Sequence, residues 1–498
     1  MELSLLTNAV VSFFDPQILF FAIAGMVIGI VIGALPGASA TMGITLMLPI
    51  SFNLGSEAAI VLLTAVYCGG IFGGSIPAIL LKIPGTPASA ATMFDGYPMA
   101  QKGEASKALL LTVYASTFGG LLSGIILMIG APLLAMIALK FGPPEMLALS
   151  LFGISIVASL ASGNLLKGLI MGTLGLFIAT IGADPQFGSP RYTFGNLNLF
   201  EGVPLIPVLI GVFSIPEALT MMLNSQEPMG KMHKIKKRFY LKWKEFSSLL
   251  PTMFRSGIVG SILGITPAVG PEVATFIGYN EAKRAAKGKE EFGNGNPKGV
   301  VASESANNAV TGASLVPTLT LGIPGSAAAA AVMGGLVIQG IRPGPALFNN
   351  DPQFVWFIFV SFLLLQIVMF IAGSLIVNVS QYVLKVPSFF LGPCIIVLSV
   401  VGAFAINNNF FSILVMFISG LLAFILNRYG FSPIPFILAL ILGPQIEGEL
   451  NRTILISGEG FMNLASYLIT RPISLVFFAL AFITFFVPII QERRKTKK

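Results

Sequence analysis

The chain has 498 residues, of which 55% are apolar and only 10% charged, and its mean hydropathy is +0.88. No water-soluble globule can hide that much apolar surface, so lipid is its solvent. The formal charge of +8, from 29 Lys and Arg against 21 Asp and Glu, is concentrated between apolar blocks and at the C-terminus. That is the distribution of cytoplasmic anchors on a membrane protein rather than of a nucleic-acid binder.

The first residues, MELSLLTNAVVSFFDPQ, have no basic region and no small-residue cleavage site, which predicts an uncleaved first helix. Charge-free windows follow at Ile18 to Leu35, Gln353 to Leu384, Val386 to Asn427 and Pro472 to Gln491. A span needs roughly 20 apolar residues, so Val386 to Asn427 holds two helices with a turn at Asn407, Asn408 and Asn409. Similar windows give about 10 to 13 spans or half-spans. Lys231 to Lys244 carries seven Lys or Arg and no acid, and Arg493 to Lys498 forms a basic tail. Cys68, Cys394 and His233 are too few for a Cys/His metal cluster or a disulfide framework, and both cysteines are expected to pack as small apolar residues.

The same order of features occurs twice. Gly33-Ala34-Leu35-Pro36 answers to Gly264-Ile265-Thr266-Pro267, and Ser75-Ile76-Pro77 to Leu315-Val316-Pro317. Ile83 to Met93 (IPGTPASAATM) matches Ile323 to Met333 (IPGSAAAAAVM) without a gap. Pro144 and Asn164 fall opposite Pro387 and Asn407, and Gly182 and Arg191 opposite Gly443 and Arg452. The second half differs mainly by a polar insertion, Glu281 to Lys298. Duplicated interrupted helices point to a secondary transporter's binding site. The acid-bearing N-terminus suggests that Ile18 to Leu35 enters from outside, whereas its counterpart near Arg255 begins beside the basic loop. That favours inverted over parallel repeats; against it both halves finish at basic segments, which fits inversion if Pro472 to Gln491 is an added helix or Pro204 to Met222 lies along the interface. The expected fold is therefore an all-α polytopic membrane protein with re-entrant hairpins. Its parts are a first repeat (1–224), a basic cytoplasmic loop (225–250), a second repeat (251–471) and a last helix with a basic tail (472–498).

Proline inside a helix removes a hydrogen bond, and glycine costs about 1 kcal/mol there relative to alanine. Broken backbone at membrane depth survives only inside protein or beside a watery cavity. After each break a new half-helix presents free amides and the positive end of its dipole, which receives carboxylates. Pro36, Gly37, Ser39, Thr41, Pro84, Gly85, Thr86, Ser89, Pro324, Gly325 and Ser326 are accordingly the candidate substrate-binding residues. Helix packing is the competing reading for any one Gly motif, and Gly69-Gly70-x-x-Gly73-Gly74 is such a contact. The run Ala327 to Ala331 is expected to carry no chemistry beyond close packing.

At helical spacing Glu304, Asn307, Asn308 and Thr311 cannot all face lipid, so they glue helices together or line the site as ion ligands. Glu272 and Glu304 stay in view as ion or proton ligands. Asp95 is expected to cap the turn leaving the first hairpin, and Lys82 to snorkel out to water.

Gly33 to Gly37 (GALPG), Ile83 to Ala88 (IPGTPA), Phe94 to Gly103 (FDGYPMAQKG), and Glu304 to Asn308 (ESANN) leading to Leu319 to Gly325 (LTLGIPG) together resemble the large membrane subunit of the tripartite tricarboxylate transporters, the TctA family. The resemblance runs from about residue 17 to 490. Lys82 departs from it, since a small polar residue such as Asn is expected before the Pro-Gly. The resemblance implies a carboxylate carrier of the bacterial cytoplasmic (inner) membrane, driven by a Na⁺ or H⁺ gradient and needing no other cofactor. It also implies a small four-helix membrane subunit and an extracytoplasmic solute-binding protein as partners.

Three other classes fit poorly. An intramembrane enzyme needs a nucleophile with a base or a metal cluster, and the sequence offers no intramembrane His or paired metal ligands. A passive anion channel would need a pore-lining ring of charge or carbonyls. A primary pump would need a Gly-x-x-x-x-Gly-Lys-Ser/Thr loop, which the chain lacks.

Overall fold

The computed structural model describes residues 2–161, 164–184, 188–223, 241–267, 269–288, 290–383, 388–458 and 460–495. His233, Pro387, most of the basic loop and the last three residues of the basic tail lie outside them. Within the expected loop 225–250, Trp243 already begins a helix.

The chain opens with α1 (Glu2–Phe13), α2 (Pro16–Ala34), α3 (Ala40–Phe52), α4 (Ser56–Gly73) and α5 (Ser75–Leu81). A 3₁₀ turn (Pro87–Ser89) leads to α6 (Met93–Gln101), α7 (Ala105–Ala138), α8 (Pro143–Ala161) and α9 (Leu165–Ala179). A two-residue antiparallel pair, β1 (Gly182–Ala183) with β2 (Pro190–Arg191), precedes α10 (Leu205–Leu223). Then come α11 (Trp243–Ile265), α12 (Gly270–Ala285), α13 (Pro297–Ala313), α14 (Leu315–Leu321), α15 (Ala327–Ile338) and α16 (Pro345–Asn350). The chain continues with α17 (Pro352–Val383), α18 (Ser388–Asn407), α19 (Phe410–Arg428), α20 (Ile434–Ser457), α21 (Phe461–Ile469) and α22 (Pro472–Lys495).

Among the described residues seven helices are long and apolar enough to cross a membrane, or eight if the bent pair 462–469 and 472–484 is one span. Shorter apolar helices, including α3, α9 and α15, have half-span length. The protein is thus polytopic and all-α, as its composition requires. The expected turn at Asn407–Asn409 is present: Asn408 is left-handed (φ 48°) and Asn409 caps α19 by accepting the Phe411 amide at 2.9 Å.

Small residues set the packing around the breaks. Gly25, Gly29 and Gly33 share one face of α2, and a Cβ on any of them would strike the α4 backbone at Leu62, Val66 and Gly70 in turn. Gly260 and Gly264 of α11 meet Ala306 and Val310 of α13 in the same way. Both pairs are close parallel crossings of the small-residue kind.

Contacts also fix relative directions. Cys68 and Phe72 of α4 meet Gln366 and Gly373 of α17, so these two run the same way. Tyr114, Gly120 and Gly124 of α7 meet Phe370, Gln366 and Leu363, so α7 and α17 are opposed. Ser116 and Ser123 of α7 meet Glu304 and Gly312 of α13, so these are parallel. Helices α4 and α13 therefore run in opposite directions, and the elements of the two halves interleave.

Candidate functional site

Helices α5 and α14 each carry Pro at their third position and end on a left-handed residue, Lys82 (φ 60°) and Gly322 (φ 70°). The amides of Ile83 and Ile323 then turn back onto the carbonyls of Pro77 and Pro317. Each chain leaves this stop through Pro-Gly and starts again at a hydroxyl residue, Thr86 or Ser326. Helix α2 likewise stops at Leu35, and α3 restarts after Gly37 (φ 87°) at the N-cap Ser39.

Three such starts, together with the first turn of α12, converge on one cavity of about 30 Å³. It is lined by Ser39, Ala40 and Thr41 of α3, Thr86 to Ala88 of the 3₁₀ turn, Pro271 and Glu272 of α12, and Ser326 to Ala328 of α15, with Ile71. Ser39 Oγ accepts the Met42 amide at 3.0 Å and Ser326 Oγ accepts the Ala329 amide at 3.1 Å. No hydrogen bond among the described residues uses the amides of Ala40, Thr41, Ala88, Ala327 or Ala328. Thr86 Oγ1 is buried against Gly74 and faces the Ser89 amide of its own turn. This is a concentration of donors at helix starts, with no basic side chain in the lining.

The candidate substrate residues therefore divide. Ser39, Thr41, Thr86 and Ser326 line the cavity. Pro36, Gly37, Pro84, Gly85, Pro324 and Gly325 shape the breaks behind it, and Ser89 turns its hydroxyl back onto the Thr86 carbonyl at 2.8 Å. Of the Ala327 to Ala331 run, Ala327 and Ala328 line the cavity and Ala328 to Ala331 are buried. Three further residues complete it. Tyr67 bridges Ser326 Oγ (3.0 Å) and Ser314 Oγ (3.2 Å). Glu272 brings a carboxylate into the lining. Glu217 of α10 accepts the Ser39 amide at 3.1 Å. Glu217 is the sole acid in α10, and an intramembrane acid is itself a signal of function. No sequence signal distinguishes Tyr67 from a core tyrosine.

The polar run on α13 is wholly buried, and its residues form a second centre beside the cavity. The Glu304 carboxylate accepts from Thr92 Oγ1 and from Ser116 Oγ at 3.1 Å, and Thr92 also meets Ser303 Oγ at 3.1 Å. Asn308 Nδ2 donates to Ser116 Oγ at 2.8 Å, whereas Thr311 turns its hydroxyl onto the Asn308 carbonyl. Asn307 lies beside Glu304, yet neither of its amide atoms makes a well-formed hydrogen bond, and Asn308 Oδ1 has none either. Buried polar atoms of this kind call for a partner such as a water molecule or an ion.

Lys82 is exposed, with Nζ 5.6 Å from the Tyr97 ring centre. Asp95 departs from expectation. Instead of capping its own hairpin it accepts the amides of Gly293, Gly295 and Asn296 at 2.7–2.9 Å and the Tyr279 hydroxyl at 2.9 Å, binding the polar insertion to α6. Cys68 is buried as expected, but Cys394 is exposed. Larger hollows of about 320 and 740 Å³ adjoin the segment 178–207. The cation there, Arg191, already donates twice to Glu447 and lies 3.2 Å from Asp184, so it is not free to bind an anion.

Comparison with known proteins agrees with the resemblance. Over 461 residues the chain is 36% identical to an uncharacterized 52.8 kDa protein in the TAR-I ttuC' 3' region of Agrobacterium vitis, covering 92% of this chain and 90% of that one. It is 35% identical over 215 residues to an uncharacterized protein in the TAR-II ttuC' 3' region of the same organism, covering 43% of this chain and 87% of that one. Residues 19–438 match the model of the tripartite tricarboxylate transporter TctA family, and the chain belongs to that family, a multi-pass membrane subunit of a tripartite transporter.

Proposed function

We propose that this chain is the translocating subunit of an ion-gradient-driven importer of tricarboxylates or related organic carboxylates in the bacterial inner membrane. It would act with a small membrane subunit and an extracytoplasmic solute-binding protein. The observation that carries the reading is that, among the described residues, five amides without acceptors belong to residues lining one cavity. Those donors suit a carboxylate, which forms its strongest hydrogen bonds with such groups. Glu304, Asn307 and Asn308 suit a coupling cation, since carboxylate and amide oxygens are the ligands a hard cation prefers.

The cavity of about 30 Å³ is far smaller than a pocket that encloses a small organic ligand. A carboxylate enters only when the surrounding helices part, as alternating access requires. We take the two halves as inverted repeats, a reading supported by the opposed directions of α4 and α13 and by the matched breaks at Gly85 and Gly325. A closed site also favours a carrier over a passive channel. The test is uptake of labelled carboxylates by proteoliposomes holding the complete tripartite system. Uptake that stops when the Na⁺ and H⁺ gradients are collapsed supports coupling, and uptake that survives both collapses overturns it.

A further inference from the structure

Glu217 occupies a place that the proposed substrate also needs. Its Oε2 accepts the amide of Ser39, one residue before the acceptor-free amides of Ala40 and Thr41 that line the cavity. One helix start carries roughly half a positive charge, enough to favour one neighbouring anion. Two carboxylates within a turn of each other at that end repel, and each disfavours ionisation of the other.

Among the described residues no salt bridge balances Glu217. Helix α10 packs on α3, α15, α18, α19 and α20. Helices α3 and α15 carry no charged residue, and α18 carries only the thiol of Cys394. On α19, Arg428 lies over the Phe424 ring at 4.5 Å. On α20, Glu447 is paired with Arg191 and Glu449 with Arg452. The titratable group in the cavity lining is another acid, Glu272. Among the described residues Glu217 has no ion-pair partner, and it accepts from Ser39.

We propose that Glu217 is a proton carrier: ionised, it holds the start of α3, and on taking up one proton it releases that helix end to a substrate carboxylate. No covalent bond other than the carboxyl O–H forms or breaks, and the proton leaves again when the substrate departs. One proton therefore travels with each substrate molecule. The inference rests on the carboxylate reading of the cavity, and it adds the coupling ion and the residue that carries it.

The experiment uses the membrane complex in lipid nanodiscs. Tartrate is a suitable probe because both its carboxyls stay ionised from about pH 6 to about pH 8. In the wild type its affinity is expected to fall toward about tenfold per pH unit, the slope of one linked proton. In Glu217→Gln the affinity is expected to be nearly flat over the same range. A protonated-carboxyl C=O band in infrared pH-difference spectra should vanish in Glu217→Gln and shift in Glu217→Asp, which serves if the Gln variant does not fold. An unchanged pH slope or an unchanged infrared difference overturns the proposal. If tartrate, citrate and succinate all fail to bind the wild type at any pH, the carboxylate reading of the cavity fails. The infrared difference then decides on its own whether Glu217 takes up a proton.

Discussion

A Cβ placed on Gly85 would fall on the carbonyl oxygen of Gly33 and within 2.8 Å of Gly74 Cα, so the first broken hairpin is held against α2 by backbone alone. Gly325 repeats the arrangement against the carbonyl of Gly264 and 2.9 Å from Ser314 Cα. Neither neighbour is the flexible end of a side chain, so neither can yield cheaply. Gly85→Ala and Gly325→Ala should each lower stability by about 3 kcal/mol, the upper range for overpacking. Gly130→Ala in α7 is the control: nothing lies within 4 Å of its Cβ, and the exchange should be neutral or stabilise by up to about 1 kcal/mol. Thermal unfolding of the three variants in nanodiscs checks this, and equal melting temperatures would remove the packing argument.

These glycines also show what the sequence made legible. Pro-Gly pairs are visible as breaks, and their duplication marked both hairpins and the hydroxyl residues that restart each helix. Spacing alone could not say that Gly85 packs while Thr86, one residue on, faces the cavity. That division depends on the crossing of α2 over α4. Asp95 shows the same limit over a longer range: the amides that donate to it, at Gly293, Gly295 and Asn296, lie about 200 positions away in sequence, and local turn chemistry carries no trace of them. Glu217 was legible as a lone acid in an apolar helix, but its partner Ser39 was not.

Asp95 gives a second prediction. Asp95→Ala leaves the amides of Gly293, Gly295 and Asn296 and the hydroxyl of Tyr279 without their acceptor, at a cost of about 3 kcal/mol. A Cβ on Gly299 would collide with the Asp95 carboxylate, so Gly299→Ala should cost a similar amount in the wild type and much less beside Asp95→Ala. Trypsin cleavage at Lys287 and Lys298 should speed up in both single variants. Lys298 holds the Glu290 carboxyl below its usual range, so that pair supports the segment above about pH 4 and is lost as pH falls through the lowered value. Being partly exposed, the pair is worth less than about 1 kcal/mol.

Thr86 separates ligand binding from packing. Among the described residues its Oγ1 meets only the Ser89 amide of its own turn, so Thr86→Val should lower stability by no more than about 1 kcal/mol. If the hydroxyl serves a substrate carboxylate, affinity should fall about tenfold, equivalent to about 1.4 kcal/mol. Ser326→Ala differs because Ser326 Oγ accepts the Ala329 amide and meets the Tyr67 hydroxyl, so it should also lose about 1–2 kcal/mol of stability. Unchanged affinity in Thr86→Val would leave the hydroxyl with a packing role only.

Asn307 tests the buried centre on α13. Asn307 is fully buried beside the Glu304 carboxyl, and its amide atoms are poorly matched by protein partners, so a bound cation would complete their coordination. Asn307→Leu keeps nearly the same volume and removes both polar atoms, so in salt-free buffer its stability should stay within about 1 kcal/mol of wild type. Adding Na⁺ at about ten times its dissociation constant should stabilise the wild type by about 1.4 kcal/mol through mass action, while Asn307→Leu should show no such gain. Li⁺ and K⁺ serve as comparisons, with choline as the inert cation. A wild type whose melting temperature ignores all three metal ions would make Glu304, Asn307 and Asn308 a packing cluster that glues α13 to α7, and would move ion coupling entirely onto the carboxylates at the cavity.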